Sequence, residues 1–370
     1  MSFAFVVRGL PNIGATCYLN SILQILLNIP EMQSLKPYRA GGGGIEDVNV
    51  NVKVEVEVER VETADGKDVC LNFEKFMHKH INNHEQIHEL RAFIRSFICY
   101  YQNFGSGMQD QHEYLMLLFK IIHDCRNKPC SFTIKHPHNL TELEKLEIIA
   151  CENLRKDGMW ISSDNLSTPN RGYDSIIFQT FTGQFHAQTT CSKCSYISNR
   201  FETFRAWEID IYGNTLEECL SHTVQQTQLD EDQTYECDKC KKHNRSFRKI
   251  TLWRAPPVLI INLKRFIANI VNGNLILSKN SANITIPVKL DIRPYISLLP
   301  NSTQYSLFAV AHHIGNANSG HCFSCIKSPA PAPEEKWYNI DDSNVIELTN
   351  IQIQQHISGS SPYILFYRRN

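Results

Sequence analysis

Two Cys-x-x-Cys pairs constrain the fold of this chain more than any other feature of its sequence. Cys191 and Cys194 form the first pair, and Cys237 and Cys240 form the second. Each turn can bring two thiolates to one side of a metal, and two such turns complete the closed, tetrahedral four-sulfur shell of a structural zinc site. Because a closed shell leaves no open coordination position, we predict a zinc ion (Zn2+) that stabilises the fold and does not catalyse.

The cysteine count helps to decide between zinc and disulfide bonds. There are 13 cysteines, an odd number, among 370 residues. The N-terminus has no basic segment followed by a long apolar one, so we expect no secretory signal peptide. We therefore expect a reducing compartment, the cytoplasm or the nucleus, where disulfides are rare and cysteines act as metal ligands, nucleophiles or core residues.

Charge and hydropathy exclude two classes of partner. The formal net charge is −1, which provides no long-range attraction to nucleic acid or to an acidic membrane surface. No apolar run approaches the roughly 18 residues that a membrane-spanning helix requires. We therefore expect a protein that binds neither nucleic acid nor membrane.

A basic run beside the second cysteine pair supports a competing interpretation, a zinc ribbon that binds nucleic acid. The run consists of Lys239, Lys241, Lys242, Arg245, Arg248 and Lys249. Interleaved aromatic residues, on which bases could stack, are nearly absent from it. We interpret the run as a solvated surface.

A third Cys-x-x-Cys sequence, at Cys322 and Cys325, has no second pair left to complete a metal site. It lies in an apparent strand, where residues three apart point to opposite faces. We predict that both are ordinary core cysteines.

Helical patterns dominate the first half of the chain. Residues 17–29 predict a buried helix that ends at Pro30 and has Cys17 in its first turn. Residues 73–101 and 109–123 predict further helices. The expected inner faces consist of Tyr18, Leu19, Ile22, Leu23 and Leu26 in the first helix, and Tyr114, Leu115, Leu118, Ile121 and Ile122 in the last.

Three features of the first half receive no chemical role. In an insertion at about 41–66, valine alternates with polar residues like one face of a strand, but the low complexity favours an exposed insertion. Residues 155–174 are polar and predict a loop. His80, His84 and His88 recur every four residues, which predicts a shared, solvated helix face, with a metal site as the alternative.

Short β-type runs dominate from about residue 176 onward. Helices followed by strands predict an α+β architecture. We expect one domain over 1–370, with a helical part at about 1–170 and a strand-rich part at about 171–370. The runs are 176–178, 201–204, 258–266, 307–314, 322–326 and 363–367.

The segment that ends at Cys17 has the features of a nucleophile site. A thiol at a helix start is stabilised as thiolate by the positive end of the helix dipole. Gly14 allows close backbone approach, Thr16 is a candidate N-cap, and Asn12 could donate an amide hydrogen bond to an oxyanion. A buried cysteine without a chemical role explains the segment equally well.

A nucleophilic cysteine needs a base, and the base needs an orienting acceptor. His321 follows a glycine at a strand end, and Asp341 lies on the next apparent strand. A histidine and a carboxylate on neighbouring strands could meet across a hairpin. The chain has 15 histidines, so spacing alone does not select His321.

Taken together, these segments resemble the catalytic domain of the ubiquitin-specific proteases. The resemblance covers nearly the whole chain, in the family's order. Its most specific parts are residues 9–21, around Cys17, and 319–321, which end at His321. The other matching parts are 109–115, 181–184, the first two Cys-x-x-Cys pairs, 257–266, 337–343 and 363–367.

The resemblance implies a papain-like cysteine protease fold with thumb, palm and zinc-bearing fingers, in which the helical first half is the thumb. It implies that Cys17 is the nucleophile, His321 the general base and Asp341 the residue that orients His321. Asn12 matches the oxyanion donor. Asp342 matches an adjacent acidic position that can assist or partly replace the third triad member.

The resemblance also implies a substrate. Asp110 and Glu113 match positions that in relatives contact basic residues of ubiquitin, and His313 matches one that lines the channel for ubiquitin's C-terminal tail. The expected activity is deubiquitination: hydrolysis at the C-terminal glycine of ubiquitin through a thioester, by a monomer whose partners are ubiquitin and ubiquitinated proteins.

Two alternatives remain open, a protease for a ubiquitin-like modifier and a ubiquitin-binding module without activity. The acidic Asp110 and Glu113 favour ubiquitin, and the complete set of triad residues favours catalysis. Two features depart from the family pattern: Cys322 stands where the family usually has tyrosine, and the insertion has no recognised counterpart. The first departure concerns the packing of the tail channel and leaves the triad intact.

Overall fold

A computed structural model gives the structure of most of the chain. The described residues are 3–35, 65–82, 87–102, 109–131, 140–158, 171–229, 235–271, 274–298, 300, 302–329 and 335–370. The insertion predicted at about 41–66 lies outside them, apart from its last two residues.

A buried helix lies at the centre of the N-terminal part. Helix α1 spans Cys17–Leu27, and all of its residues are buried, so the predicted inner face is confirmed and the helix is enclosed on every side. Pro30 was expected only to end this helix. It also begins a short helix, α2 (Pro30–Gln33), because proline suits the first helical position, where the backbone N–H has no partner to lose.

Four longer helices complete the helical part. They are α3 (Gly66–Ile81), α4 (Ile87–Tyr100), α5 (Gln111–Arg126) and α6 (Glu142–Gly158). The segment 73–101 therefore forms parts of two helices, α3 and α4, which pack against each other. The predicted inner face of α5 is confirmed as buried.

The three regularly spaced histidines do not share a helix face. His80 is buried in α3 and its ring packs on Phe76, whereas His88 is exposed in α4. His84 lies outside the described residues. The prediction of a solvated face is wrong for His80, because α3 turns this position toward the core together with its apolar residues.

The first strand lies within the helical part, before α6, and the other strands follow from residue 171. The strands are β1 (Lys128–Ser131), β2 (Arg171–Asp174), β3 (Gly183–Cys191), β4 (Ile197–Phe204), β5 (Trp207–Ile209), β6 (Thr227–Gln228), β7 (Tyr235–Glu236), β8 (His243–Asn244), β9 (Ser246–Arg254), β10 (Val258–Leu263), β11 (Phe266–Val271), β12 (Asn274–Lys279), β13 (Lys289–Asp291), β14 (Gln304–Gly315), β15 (Gly320–Lys327), β16 (Trp337–Asp341), β17 (Asn344–Leu348) and β18 (Pro362–Arg369). Three further helices lie among them: α7 (Ile176–Phe181), α8 (Leu216–Thr223) and α9 (Asn350–Ile357).

Two sheets organise these strands. Within the described residues, the larger sheet has eight strands in the order β17-β16-β15-β14-β18-β10-β5, with β13 paired to β14. The smaller sheet has the order β4-β3-β9-β6. The hairpins β7-β8 and β11-β12 stand apart from both sheets, and β1 pairs with β2.

Two sequence predictions in this part are wrong. Residues 176–178 were expected to form a strand but begin α7, because the Ser175 side chain caps the helix by accepting from the backbone N–H of Phe178. The loop predicted at 155–174 includes the end of α6 and all of β2, with 159–170 outside the described residues. Strand β2 was not predicted because its residues are polar and because its partner, β1, is distant in the sequence.

The larger sheet separates two hydrophobic cores. One lies between the helical part and the sheet and contains Cys17 and Cys322. The other lies on the opposite side and contains Trp207, Cys325 and Trp337. Since α1 packs against β15, the fold brings the start of the first helix next to a strand that begins about 300 residues later in the sequence.

Candidate active site

Cys17 is the first residue of α1 and lies where this helix meets β15. Only 3% of its surface is exposed. A hydrogen bond from the Cys322 thiol and the positive charge of His321 outweigh the cost of burial and lower the pKa of Cys17 to about 6. Much of this cysteine is therefore thiolate, the nucleophilic form, at neutral pH.

The loop before Cys17 is held by the side chain of Asn12. Its Oδ1 accepts hydrogen bonds from the backbone N–H groups of Gly14, at 3.3 Å, and Thr16, at 3.1 Å. Gly14 has φ of 111° and Ala15 has φ of 51°. Both angles lie in the left-handed region, which costs glycine little and alanine more.

Thr16 occupies the N-cap position but does not cap the helix with its side chain. Its hydroxyl instead accepts from the backbone N–H of Ile13, at 3.1 Å, and contacts Asn12 Oδ1 at 3.3 Å. The predicted N-cap position of Thr16 is therefore confirmed, but its side chain does not cap the helix, because the hydroxyl is used to close the preceding loop. The first turn of α1 keeps N–H groups that no N-cap side chain satisfies, a feature that suits a bound anion.

His321 and Asp341 meet across the neighbouring antiparallel strands β15 and β16. His321 Nε2 lies 2.5 Å from Asp341 Oδ1. Burial disfavours the imidazolium, but the hydrogen bond to Asp341 and its negative charge outweigh burial and raise the pKa of His321. Because Nε2 is held by Asp341, Nδ1 is the ring nitrogen left for Cys17.

The next carboxylate, Asp342, contacts the loop before the nucleophile. Its Oδ2 accepts from Asn12 Nδ2 at 3.0 Å, and its Oδ1 accepts from Asn20 Nδ2 at 2.7 Å. A Cβ at Gly9 would lie 2.4 Å from the backbone oxygen of Asp342, so only glycine lets the N-terminal segment run this close. A carboxylate oxygen of Asp342 and a ring nitrogen of His321 also lie within 4.8 Å of each other.

Cys322 is the functional neighbour that sequence reasoning missed. Its core position is confirmed, and Cys325 lies in the opposite core as strand alternation predicts. However, its interaction with Cys17 is the largest cause that lowers the pKa of the Cys17 thiol. The contact and burial raise the pKa of Cys322 far above its usual range. The available signal was its position directly after His321.

A cavity of about 290 Å³ opens beside these residues, between the start of α5, the β11-β12 hairpin and the β14-β15 hairpin. Its lining includes Phe266, His313, Cys322 and Tyr363. The Phe266 ring packs edge-on against His313 and Tyr363, at centroid distances of 5.0 and 5.2 Å. Burial and the nearby charge of Lys279 lower the pKa of His313 to about 4, so the ring is neutral at pH 7.

Asp110 and Glu113 also line this cavity, but in different roles. Asp110 is the N-cap of α5 and lies just before the helix, although the helix was predicted to begin at residue 109. Its Oδ1 accepts from the Glu113 N–H at 2.8 Å and its Oδ2 accepts from the Tyr363 hydroxyl at 2.6 Å. Glu113 lies in the first turn of α5, and its side chain is exposed.

The four paired cysteines converge at the end of the smaller sheet. The Sγ atoms of Cys191 and Cys240 are 3.9 Å apart, those of Cys194 and Cys237 are 3.6 Å apart, and all four atoms lie within 4.8 Å of one another. A tetrahedral zinc with Zn–S bonds of about 2.3 Å sets neighbouring sulfurs roughly 3.8 Å apart. The four side chains therefore fit a metal ion of this kind.

The two Cys-x-x-Cys turns have matching backbones. In each, the residue after the second cysteine has a positive φ: 57° at Ser195 and 52° at Lys241. In each, its N–H bonds to the carbonyl of the first cysteine, at 3.0 Å for Cys191 and 2.8 Å for Cys237. Independent turns of the same geometry present two sulfurs each, as the paired spacing predicted.

Among the helices that the structure describes, none is both long and apolar enough to span a membrane.

Comparisons with known proteins agree with this arrangement. The family model described as "Ubiquitin carboxyl-terminal hydrolase" matches residues 8–367. Ubiquitin carboxyl-terminal hydrolase 2 of Bos taurus is 27% identical over 373 residues, which cover 98% of this chain and 55% of that protein. Ubiquitin carboxyl-terminal hydrolase 21 of Arabidopsis thaliana is 28% identical over 371 residues, which cover 98% of this chain and 42% of that protein. The chain thus spans about half the length of these relatives.

Solved structures share the fold. A Ubp8/Sgf11/Sus1/Sgf73 SAGA DUB module bound to monoubiquitin matches with a TM-score of 0.69 and 21% identity, over 100% of this chain and 70% of the matched one. The same module bound to ubiquitin aldehyde matches with a TM-score of 0.67 and 19% identity, over 100% of this chain and 71% of the matched one. The mixed helix-and-sheet architecture expected from the sequence is therefore confirmed.

Proposed function

Because this chain belongs to the ubiquitin carboxyl-terminal hydrolase family, we propose that it is a deubiquitinating cysteine protease. The reaction is hydrolysis of the isopeptide or peptide bond at the C-terminal glycine of ubiquitin. The observation that carries the proposal is the arrangement of a low-pKa thiol, Cys17, beside a histidine whose far nitrogen is held by Asp341. This is the arrangement that nucleophilic catalysis requires.

The first half of the reaction forms a thioester. The Cys17 thiolate attacks the carbonyl carbon of the terminal glycine, and the carbonyl oxygen becomes an oxyanion. His321, kept protonated by Asp341, gives its Nδ1 proton to the departing amine. Water then attacks the thioester with His321 acting as base, which releases ubiquitin and restores the thiolate.

The oxyanion is stabilised by donors on the loop before Cys17. A side-chain amide carries two N–H donors, and Asn12 uses one of them on Asp342. We assign the second to the oxyanion, together with N–H groups at the start of α1, which the helix dipole makes favourable for negative charge. Asp342 thereby acts on the oxyanion through Asn12, and its distance from His321 also allows it to assist Asp341.

The cavity next to Cys322 is assigned to the C-terminal tail of ubiquitin. It is lined by the neutral His313 and by Phe266, and Glu113 and Asp110 add acidic groups at the start of α5. An extended, glycine-terminated segment with basic side chains suits such a channel. Glu113 is the stronger candidate for direct contact, because both oxygens of Asp110 already accept hydrogen bonds.

We assign zinc to the four-cysteine site. Cys191, Cys194, Cys237 and Cys240 would hold the ion, and it would supply cross-linking of the two turns and no chemistry at Cys17. The supporting observation is the separation of the sulfur atoms, which matches a closed thiolate shell.

The remaining assignments follow from the same proposal. The partners are ubiquitin and ubiquitinated proteins, and the protein acts as a monomer in the cytoplasm or nucleus. A reducing compartment suits the cysteines that the structure describes, because none of them forms a disulfide.

The experiment that tests the proposal measures release of a fluorophore from the C-terminus of ubiquitin. Wild type should turn over, and Cys17→Ser and His321→Ala should lose activity by at least about a thousandfold. The same assay with a related ubiquitin-like modifier addresses the alternative substrate class. Turnover by Cys17→Ser at the wild-type rate would overturn the assignment.

A further inference from the structure

The N-terminal segment, residues 4–11, is held by side chains of α1 and forms no helix or strand of its own. Asn28 binds both backbone groups of Val6. Its Oδ1 accepts from the N–H at 2.8 Å, and its Nδ2 donates to the carbonyl at 2.9 Å. One turn earlier in α1, Gln24 Nε2 donates to the carbonyl of Arg8 at 2.7 Å.

Asn20 continues this series at the end of the segment nearest the active site. Its Nδ2 donates to the carbonyls of Leu10, at 3.4 Å, and Pro11, at 3.2 Å. The same nitrogen donates to Asp342 Oδ1 at 2.7 Å. The three amide side chains of the series are each at most 6% exposed. Buried amides are costly without hydrogen-bond partners, so the fold depends on these contacts.

The spacing of the three amides fixes the register of the segment. The amides are four residues apart in α1, which is about 6 Å of helix. The backbone groups that they bind are two residues apart, which is about 6.6 Å of extended chain. The two repeats nearly coincide, and the segment runs antiparallel to the helix. A shift of the segment by one residue would turn its carbonyls away and leave the buried amides unpaired.

We propose that Asn20 is a positioning residue of the oxyanion site and acts through Asn12. The proposal rests on the proposed function, in which Asn12 donates to the oxyanion. Asn20 reaches Asn12 by two routes. It holds the carbonyl of Pro11, the residue before Asn12. It also holds one carboxylate oxygen of Asp342, whose other oxygen accepts from Asn12 Nδ2 at 3.0 Å.

The position of Asn20 on α1 gives these contacts their effect. Cys17 begins this helix and Asn20 lies one turn further along it. A group that is fixed relative to Asn20 is therefore fixed relative to the nucleophile. The Leu10 N–H donates to the backbone oxygen of Asp342 at 2.9 Å, which ties the segment to the turn after β16. The distance between thiolate and oxyanion donor thus depends on one rigid helix.

A buried amide can also serve stability alone, and Gln33 provides the comparison. Its Oε1 accepts from the N–H of Ala4 at 3.1 Å, and its Nε2 donates to the carbonyl of Ala4 at 2.6 Å. The contact is of the same kind as those of α1, but it lies at the far end of the segment from Asn12. Loss of Gln33 should therefore affect stability without affecting the oxyanion site.

The test compares Asn20→Leu with Gln33→Met on a ubiquitin fluorogenic substrate. Both variants should lower the Tm by a few degrees, because each leaves backbone groups unpaired. Asn20→Leu should lower kcat at least about tenfold and leave KM within about twofold. Gln33→Met should leave kcat within about twofold. The rate of Cys17 alkylation by iodoacetamide should change less than about twofold in both variants. An unchanged kcat in folded Asn20→Leu would overturn the proposal.

A double-mutant cycle separates positioning from a general structural effect. In the Asn12→Ala background, Asn20→Leu should lower kcat by less than about a further twofold, because the donor that it positions is already absent. An equal loss in both backgrounds would show that Asn20 does not act through Asn12. If Asn20→Leu does not fold, Gln24→Met replaces it, with an expected loss in kcat of about threefold that also disappears with Asn12.

Hydrogen exchange separates this proposal from the proposed function. The backbone N–H groups of Gly14 and Thr16 are bonded to Asn12 Oδ1, so displacement of Asn12 frees them. Peptides that cover 12–16 should exchange at least about tenfold faster in Asn20→Leu than in wild type, and at the wild-type rate in Gln33→Met. Unchanged exchange in Asn20→Leu would overturn the positioning role alone. If wild type does not cleave ubiquitin but the exchange behaves as expected, the proposed function is wrong and Asn20 still holds this loop.

Discussion

Asp342 accepts a hydrogen bond from the side-chain amide of Asn12 at 3.0 Å, although the two residues are 330 positions apart in the sequence. Asp341, the residue before it, holds His321. The turn that ends β16 therefore positions the base on one side and the loop before Cys17 on the other. This contact couples two parts of the site that the sequence presents at opposite ends of the chain.

The contact predicts that Asp342→Asn lowers kcat by about tenfold with little change in KM. Asparagine tolerates the φ of 49° at this position, but it offers one acceptor oxygen where Asp342 uses two, for Asn12 and Asn20. One of these amides therefore loses its acceptor, and a small displacement of Asn12 weakens its bond to the oxyanion. Steady-state kinetics on a ubiquitin fluorogenic substrate measures both parameters.

Ser343→Ala is the matched control, because Ser343 is exposed in the same turn. It should leave kcat within about twofold of wild type. An unchanged kcat in Asp342→Asn would show that Asn12 keeps its position without this acceptor.

The shifted pKa values of Cys17 and His321 predict a bell-shaped dependence of kcat/KM on pH. Activity should fall on the acid side near pH 6, where the Cys17 thiolate becomes protonated. It should fall on the alkaline side where His321, whose pKa is raised above its ordinary value, loses its proton. Asp341→Asn removes the charge that stabilises the imidazolium, so the alkaline limb should move to lower pH. An alkaline limb that stays in place in Asp341→Asn would contradict the assigned role of Asp341.

The cysteine cluster predicts one zinc ion per chain and a strong effect of Cys237→Ser. Loss of one thiolate should release the metal, and the Tm should fall by roughly 10 °C or more, because zinc binding contributes to folding. Cys99→Ser, at a free cysteine of α4, is the control and should keep its zinc. Elemental analysis combined with thermal unfolding checks this, and wild type without stoichiometric zinc would contradict the metal assignment.

The exposed carboxylate of Glu113 predicts charge-dependent substrate binding. Glu113→Lys should raise KM for ubiquitin substrates at least about fivefold at low salt, with a smaller effect at high salt because exposed charge pairs are screened. Its rate of reaction with a small thiol reagent at Cys17 should not change. Asp110 is less suitable for this test, because its removal also uncaps α5 and frees Tyr363.

Glu217→Lys is the matched control for Glu113→Lys. Glu217 lies in the first turn of α8, so reversing its charge carries a similar cost near a helix start. It should leave KM unchanged. Equal KM values for wild type and Glu113→Lys would show that Glu113 is only a solvated acid.

Local patterns in the sequence predicted the parts of the fold that depend on local physics. The spacing of apolar residues placed the inner faces of α1 and α5, and the cysteine spacing predicted two turns that converge. Periodicity could not predict that Asp110 caps α5 or that a helix follows Ser175. In each case a single capping hydrogen bond decides where the helix begins. The burial of His80 likewise depends on packing between helices.

Contacts between distant segments were beyond the reach of pattern alone. Strand alternation predicted that Cys322 lies in the core. That Cys17 lies in the same core depends on how the helical part packs on the sheet. The hydrogen bond between Asp342 and Asn12 likewise depends on how distant segments pack together. Family resemblance proposed roles for Asn12 and Asp342, and the structure adds that one residue holds the other.

The central claim is that Cys17 is the nucleophile that attacks the C-terminus of ubiquitin. The most direct measurement is reaction of the full chain with ubiquitin carrying a thiol-reactive group at its C-terminus, followed by peptide mapping of the adduct. The account predicts one ubiquitin per chain, attached at Cys17, and no adduct in Cys17→Ala. An adduct on any other cysteine, or no adduct with wild type that is folded by circular dichroism, would contradict it.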